Sequence, residues 1–140
     1  MAAPVYLDAS ALVKLVAAEP ESDALVRWLR TRPVRVTSIA GRIETQRAAR
    51  RAAAAADDAA VADRASEALA VVETIGLSEA IAERAGVLGP PPLRTLDAIH
   101  LATAILIGPV EAFVTYDDRL AAAARGAGLV LAQPGRGAGQ

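Results

Sequence analysis

The sequence predicts an α/β domain: a parallel sheet covered by helices on both faces. Three observations lead there. Short apolar runs alternate along the chain with longer segments of helical periodicity. The runs are apolar throughout rather than alternating, as strands buried on both faces must be. Hydrophobic residues make up 54% of the chain and aromatics 3%, and alanine supplies much of the former, which suits closely packed helices better than a β-sandwich.

The elements follow in order. Val5 to Leu7 is an apolar run ending in Asp8, and reads as a buried strand. Ser10 is placed to cap a helix running to about Ala18, with Leu12, Leu15 and Val16 on one face. Pro20 opens a second helix whose Leu25, Trp28 and Leu29 face inward, Trp28 being core rather than part of a partner groove. Val34 to Val36 is the second strand, and Ser38 caps a long helix through about Ala54. A helix over Asp58 to Val72 precedes a third short strand at Ile75 to Leu77. Ser78 then caps a helix to Ala85. Gly86 to Leu93, with Pro90, Pro91 and Pro92, is a loop. A helix from Thr95 to Ile107, a strand from Ala112 to Tyr116, a helix from Arg119 to Arg125 and a strand from Leu129 to Leu131 complete the pattern. Residues 1–134 form one domain, and the glycine-rich stretch 135–140 is expected to be a disordered tail.

Composition narrows the chemistry. The 15 basic and 16 acidic residues leave a net charge of −1, so bulk charge does not announce nucleic acid. Every basic residue except Lys14 is arginine. There is no cysteine and one histidine, which excludes disulfides and argues against zinc. The longest apolar run, Leu101 to Ile107, is too short to span a bilayer, and residues 1–4 lack a signal-peptide layout, so the expected location is the cytoplasm.

The carboxylates need explaining. Asp8 ends a strand expected to be central, at the sheet edge where ligands of such folds bind. With Ser10 available as the cap, Asp8 is left for function. Asp97 stands near the start of a helix that is apolar nearly all round, where a bare carboxylate is costly to bury unless paired, capped or metal-bound; Thr95 competes as the cap. Asp117 and Asp118 follow the strand ending near Thr115. One of them is expected to cap the next helix and the other to face the same edge as Asp8. Glu44, three residues before Arg47, reads by spacing as a solvated salt bridge. Converging carboxylates repel unless a cation neutralises them, and oxygen donors favour Mg²⁺ or Mn²⁺, which points to phosphodiester hydrolysis.

Four segments, V-Y-L-D-A-S (5–10), V-T-S-I-A-G-R-I-E (36–44), L-R-T-L-D-A-I-H-L-A-T-A (93–104) and F-V-T-Y-D-D-R-L-A-A-A-A (113–124), resemble in order and spacing the motif blocks of VapC-like PIN domains. The resemblance runs from Val5 to about Pro134 and implies a PIN-like three-layer α/β/α fold with a parallel sheet of about five strands. It also implies a metal-dependent endoribonuclease, the toxin of a type II toxin–antitoxin pair, which acts on RNA, is silenced by a cognate antitoxin and forms a homodimer. It carries over Asp8, Glu44, Asp97 and Asp117 as catalytic ligands of Mg²⁺ or Mn²⁺, so Glu44 moves from salt bridge to ligand. Asp118 is the alternative fourth acid, and Ser10 and Thr115 are supporting hydrogen-bonding groups. Thr45 and Gln46 depart from the apolar residues usual after the glutamate, and Gly41 weakens that helix by up to ~1 kcal/mol.

His100, one turn after Asp97, reads as a packed, hydrogen-bonded core histidine rather than a general base. Arg42, Arg47, Arg50 and Arg51 either hold RNA phosphates or form a solvated face with Asp57 and Asp58. A haloacid-dehalogenase phosphatase would need an aspartate where Ser10 stands and a late lysine, and a receiver domain fails on the same lysine. The remaining alternative is a catalytically silent PIN fold that binds RNA or a partner.

Overall fold

Five short strands pair in parallel through the middle of the computed structural model, which describes residues 2–89 and 92–137. In chain order the elements are β1 (Val5–Leu7), α1 (Ala9–Lys14), α2 (Ser22–Leu29), β2 (Arg35–Ser38), α3 (Ile39–Ala56), α4 (Ala60–Ala70), β3 (Glu73–Ile75), α5 (Glu79–Val87), α6 (Thr95–Leu106), β4 (Ala112–Val114), α7 (Asp118–Gly126) and β5 (Leu131–Ala132). The strand order is β3-β2-β1-β4-β5, so β1 is central, and Tyr6 lies between Val36 of β2 and Phe113 of β4.

Side-chain alternation along β1 divides the core between the two faces of the sheet. Val5 and Leu7 pack with Leu12, Leu25, Leu29, Leu69 and Val114, and half-buried Trp28 rests against them. Tyr6 points the other way, with Val36, Phe113, Leu101 of α6 and Leu120 of α7. A third cluster joins Val16 to Ala49 of α3 and Val61 and Ala65 of α4, where alanines let the helices approach closely. The result is three layers. No helix among the described residues is long and apolar enough to cross a membrane.

Several expected boundaries move, each for a local reason. Asp8, not Ser10, caps α1, its side chain accepting from the Ala11 N–H. The helix stops at Lys14 rather than Ala18, because Lys14 Nζ turns to Glu19 and Glu21, and the Ser22 hydroxyl donates to the Ala17 carbonyl. The next helix starts at Ser22 rather than Pro20. Asp57, in the left-handed conformation (φ 51°), closes α3, so α4 begins at Ala60 rather than Asp58. The third strand is Glu73–Ile75 rather than 75–77; Leu77 is exposed. The last strand is likewise displaced, to Leu131–Ala132. Helix α5 runs to Val87, into the expected loop; Pro90 and Pro91 of that loop lie outside the described residues. At the end of the chain Arg136 pairs with Asp118, and 138–140 of the expected disordered tail lie outside the described residues.

Candidate functional site

Asp8 leaves the carboxyl end of the central strand, where the chain turns from sheet into helix. It is 3% exposed. Its Oδ1 accepts from the Ser10 hydroxyl at 2.7 Å and the Ala11 N–H at 2.9 Å, and its Oδ2 accepts from the Thr115 hydroxyl at 2.5 Å. Both hydroxyls are themselves fixed by the neighbouring strand end: Ser10 accepts from the Tyr116 N–H and Thr115 from the Asp117 N–H. Burial pushes the Asp8 carboxyl up; nearby His100 and these hydrogen bonds oppose that.

Asp117 repeats the arrangement one strand away. It caps α7, its Oδ1 accepting from the Leu120 N–H at 2.8 Å. Asp118 does not face the site. Its side chain is 92% exposed and pairs with Arg136, so the alternative fourth acid turns away from Asp8. Expecting one aspartate to cap and the other to face the site was therefore mistaken, because the capping residue is the one that stays near the other acids.

Glu44 does not pair with Arg47. Its Oε1 receives the Nε2 of His100 at 2.8 Å, while His100 Nδ1 meets the Tyr6 hydroxyl at 2.7 Å. His100 is the hydrogen-bonded core histidine expected, but its partner belongs to the acid set, a link local spacing could not disclose. Gly41 explains the contact. A Cβ there would stand 2.1 Å from Thr37 Oγ1 and 2.9 Å from His100 Cε1, so only glycine lets α3 approach β2 and α6 this closely. Thr45, the departure from apolar character, is fully buried, and its hydroxyl donates back to the Gly41 carbonyl.

Asp97 is half-buried in the first turn of α6, which has no side-chain cap from Arg94 or Thr95. Its carboxylate forms no hydrogen bond or ion pair among the described residues. Burial raises its pKa first and Asp117 next; His100 opposes, and Asp8 and Glu44 add to the rise. The four acids thus share one electrostatic neighbourhood. Among the described residues, however, no three acidic or histidine side chains stand close enough together to hold a metal ion as they are. Glu44 is engaged by His100, and one Asp117 oxygen is committed to its cap. The acids offer oxygen donors throughout, the kind hard divalent cations take, and both His100 nitrogens are engaged in hydrogen bonds, so no nitrogen donor is offered to zinc.

Two clefts meet at Glu44. One, of about 320 Å³, is lined by Ala40, Ile43, Glu44, Arg47, Arg51 and Leu96. The other, of about 370 Å³, includes Ser10, Lys14, Glu44, Arg51, Tyr116 and Arg136. A larger cleft, about 740 Å³ between α3 and α4, contains none of the acids, and the carboxylates rather than cleft volume identify the site. Among the described residues the α3 arginines make no ion pair with Asp57 or Asp58; Asp58 pairs with Arg64.

Residues 5–126 match the family model described as PIN domain. The chain is 45% identical to Ribonuclease VapC46 of Mycobacterium tuberculosis, over 94% of this chain and 98% of the relative. A toxin–antitoxin complex from Klebsiella pneumoniae superposes with a TM-score of 0.65 at 26% identity, covering 84% of this chain and 90% of that one. VapBC2 from Rickettsia felis, bound to a DNA fragment from their promoter, matches with a TM-score of 0.74 at 16% identity, over 94% of this chain and 98% of that one.

Proposed function

The chain belongs to the PIN-domain family, and from that premise we propose that it is a metal-dependent endoribonuclease, the toxin half of a toxin–antitoxin pair. The observation that carries the reading is the near full-length 45% identity to a protein named a ribonuclease. An antitoxin partner is supported by the toxin–antitoxin complex among its structural relatives. Working on RNA, the protein belongs in the cytoplasm, and the homodimer implied by the resemblance is part of the same reading.

Asp8, Glu44, Asp97 and Asp117 would hold Mg²⁺ or Mn²⁺. Such an ion supplies Lewis-acid polarisation of a phosphoryl oxygen and acidification of water. The Ser10 and Thr115 hydroxyls fix the Asp8 carboxylate, so its orientation is set before any ligand arrives. Arg47, Arg51 and Arg136 line the clefts either side of Glu44 and offer charge-assisted hydrogen bonds to RNA phosphates.

Purified protein should cut RNA only with Mg²⁺ or Mn²⁺ and leave 5′-phosphate and 3′-hydroxyl ends, because water rather than the ribose 2′-hydroxyl attacks. Cyclic phosphate ends, or full activity in EDTA, sink the mechanism. That no three acidic or histidine side chains stand together among the described residues favours a second reading, an RNA-binding PIN fold without catalysis. Tight RNA binding with no cleavage of toxin-type RNA substrates in Mn²⁺ would establish it.

A further inference from the structure

Resting on that reading, we propose that His100 is a positioning residue for Glu44: held in one tautomer by Tyr6, it fixes one oxygen of the Glu44 carboxylate and leaves the other for the cation. The protons can be followed along the chain of contacts. The Ser38 backbone N–H donates to the Tyr6 hydroxyl oxygen at 3.2 Å. The hydroxyl's own proton has its short contact at His100 Nδ1, 2.7 Å away, an atom the Ser38 hydroxyl also approaches at 3.5 Å. Nδ1 therefore accepts, Nε2 carries the ring proton, and Nε2–H donates to Glu44 Oε1 at 2.8 Å.

Each member of this chain is fixed by its surroundings. Tyr6 is fully buried and stacked on Phe113, with ring centroids 5.0 Å apart and planes 2° from parallel. His100 meets Tyr6 edge-on at 84° and is 1% exposed. Gly41 supplies the clearance for the imidazole, and Glu44, one helical turn later on the same face of α3, uses it. Glu44 itself is half-buried in a cleft lined by Arg47 and Arg51. Without the imidazole, those guanidinium groups would draw its flexible carboxylate away from Asp8 and Asp97.

The test titrates Mn²⁺ into the full chain, followed by electron paramagnetic resonance of the free ion, beside thermal unfolding of each variant. Glutamine places an amide N–H near the position of Nε2, whereas asparagine places it near Nδ1 and short of Glu44. His100→Gln should bind Mn²⁺ within about threefold of the parent and His100→Asn about tenfold more weakly, the lower end of what lost outer ligand support costs. Equal affinity of parent and His100→Asn overturns the proposal, as does affinity that merely follows melting temperature across the variants. Should His100→Asn fail to fold, Tyr6→Phe carries the comparison, with weaker Mn²⁺ binding expected and unchanged binding overturning the proposal. As the chain has one histidine, long-range ¹H–¹⁵N spectra of metal-free protein read the tautomer directly. Nε2–H is expected in the parent, and Nδ1–H there overturns the relay. A parent that takes up no Mn²⁺ is a different result: it removes the metal-dependent reading, and this inference with it.

Discussion

Asp8 is held at both oxygens, with Oδ1 receiving two donors and Oδ2 one. Capping and a place in the acid set are therefore not alternatives, since a carboxylate has lone pairs for both. The Ser10 hydroxyl, the cap expected from the sequence, instead donates to Asp8. The geometry changes how Asp8 should be tested. Asp8→Ala removes the α1 cap and leaves two hydroxyls and an N–H without their acceptor, at a cost of about 1–3 kcal/mol. Asp8→Asn keeps a good cap and a polar group facing Thr115. Expressed without an antitoxin, the parent should arrest growth, and Asp8→Asn should relieve the arrest at a melting temperature near the parent's. Arrest undiminished by a soluble Asp8→Asn protein would remove Asp8 from the catalytic set. The partner of His100 is not encoded locally, because its acceptor lies 56 residues away on another helix. Its spacing from Asp97 is local, whereas its pairing with Glu44 exists only once α3 and α6 pack.

Helix α3 carries the clearest conflict between local preference and packing. By propensity Gly41 is a defect, and alanine there should gain up to about 1 kcal/mol. Yet a Cβ would meet Thr37 Oγ1 at 2.1 Å and His100 Cε1 at 2.9 Å. Overpacking of that kind costs about 1–3 kcal/mol, so Gly41→Ala should lower the melting temperature and weaken Mn²⁺ binding by displacing His100. A variant more stable than the parent would show that the clearance is dispensable. The same contrast explains which elements the sequence disclosed. Residues 5–7 are apolar because β1 is buried by both layers, and the capping serines Ser38 and Ser78 marked two helix starts correctly. The edge strands were misplaced by a residue or two. Each pairs on one side only, and neither is fully buried, so apolar runs mark them poorly. The early end of α1 depends on Lys14 reaching Glu19 and Glu21, a three-residue arrangement with no periodic signature.

Across the whole molecule, a net charge of −1 conceals an uneven distribution: the strand ends at one edge gather acids while arginines line the adjoining clefts. The sheet order puts β1 between β2 and β4, so Asp8 and Asp117 emerge side by side, and α3 and α6 bring up Glu44 and Asp97. Alternating elements made the fold class legible, whereas the distances between the acids depended on side-chain partners that no spacing encodes. Their electrostatics gives a prediction with a definite sign. Asp8 and Asp97 have raised pKa values in the fold, with burial the largest cause for both. A raised carboxyl contributes stability that is fully present below its unfolded value, about 4 for aspartate, and lost as pH rises through the folded value. Through these two groups metal-free protein should therefore lose stability as pH climbs above about 4, and Asp97→Asn, which cannot ionise, should lose less of it. At neutral pH the variant should be no less stable than the parent and up to about 1 kcal/mol more so, since it relieves repulsion from Asp117, Asp8 and Glu44. Mn²⁺ should reverse the ranking. At a hundredfold excess over Kd it stabilises the parent by about 2.7 kcal/mol, a melting shift of several degrees, and the variant much less. Melting curves of both proteins, with and without Mn²⁺ across that pH range, decide the matter. If Asp97 served only its helix start, the asparagine variant would be the less stable one without metal and neither protein would respond to Mn²⁺. That pattern would take Asp97 out of the site.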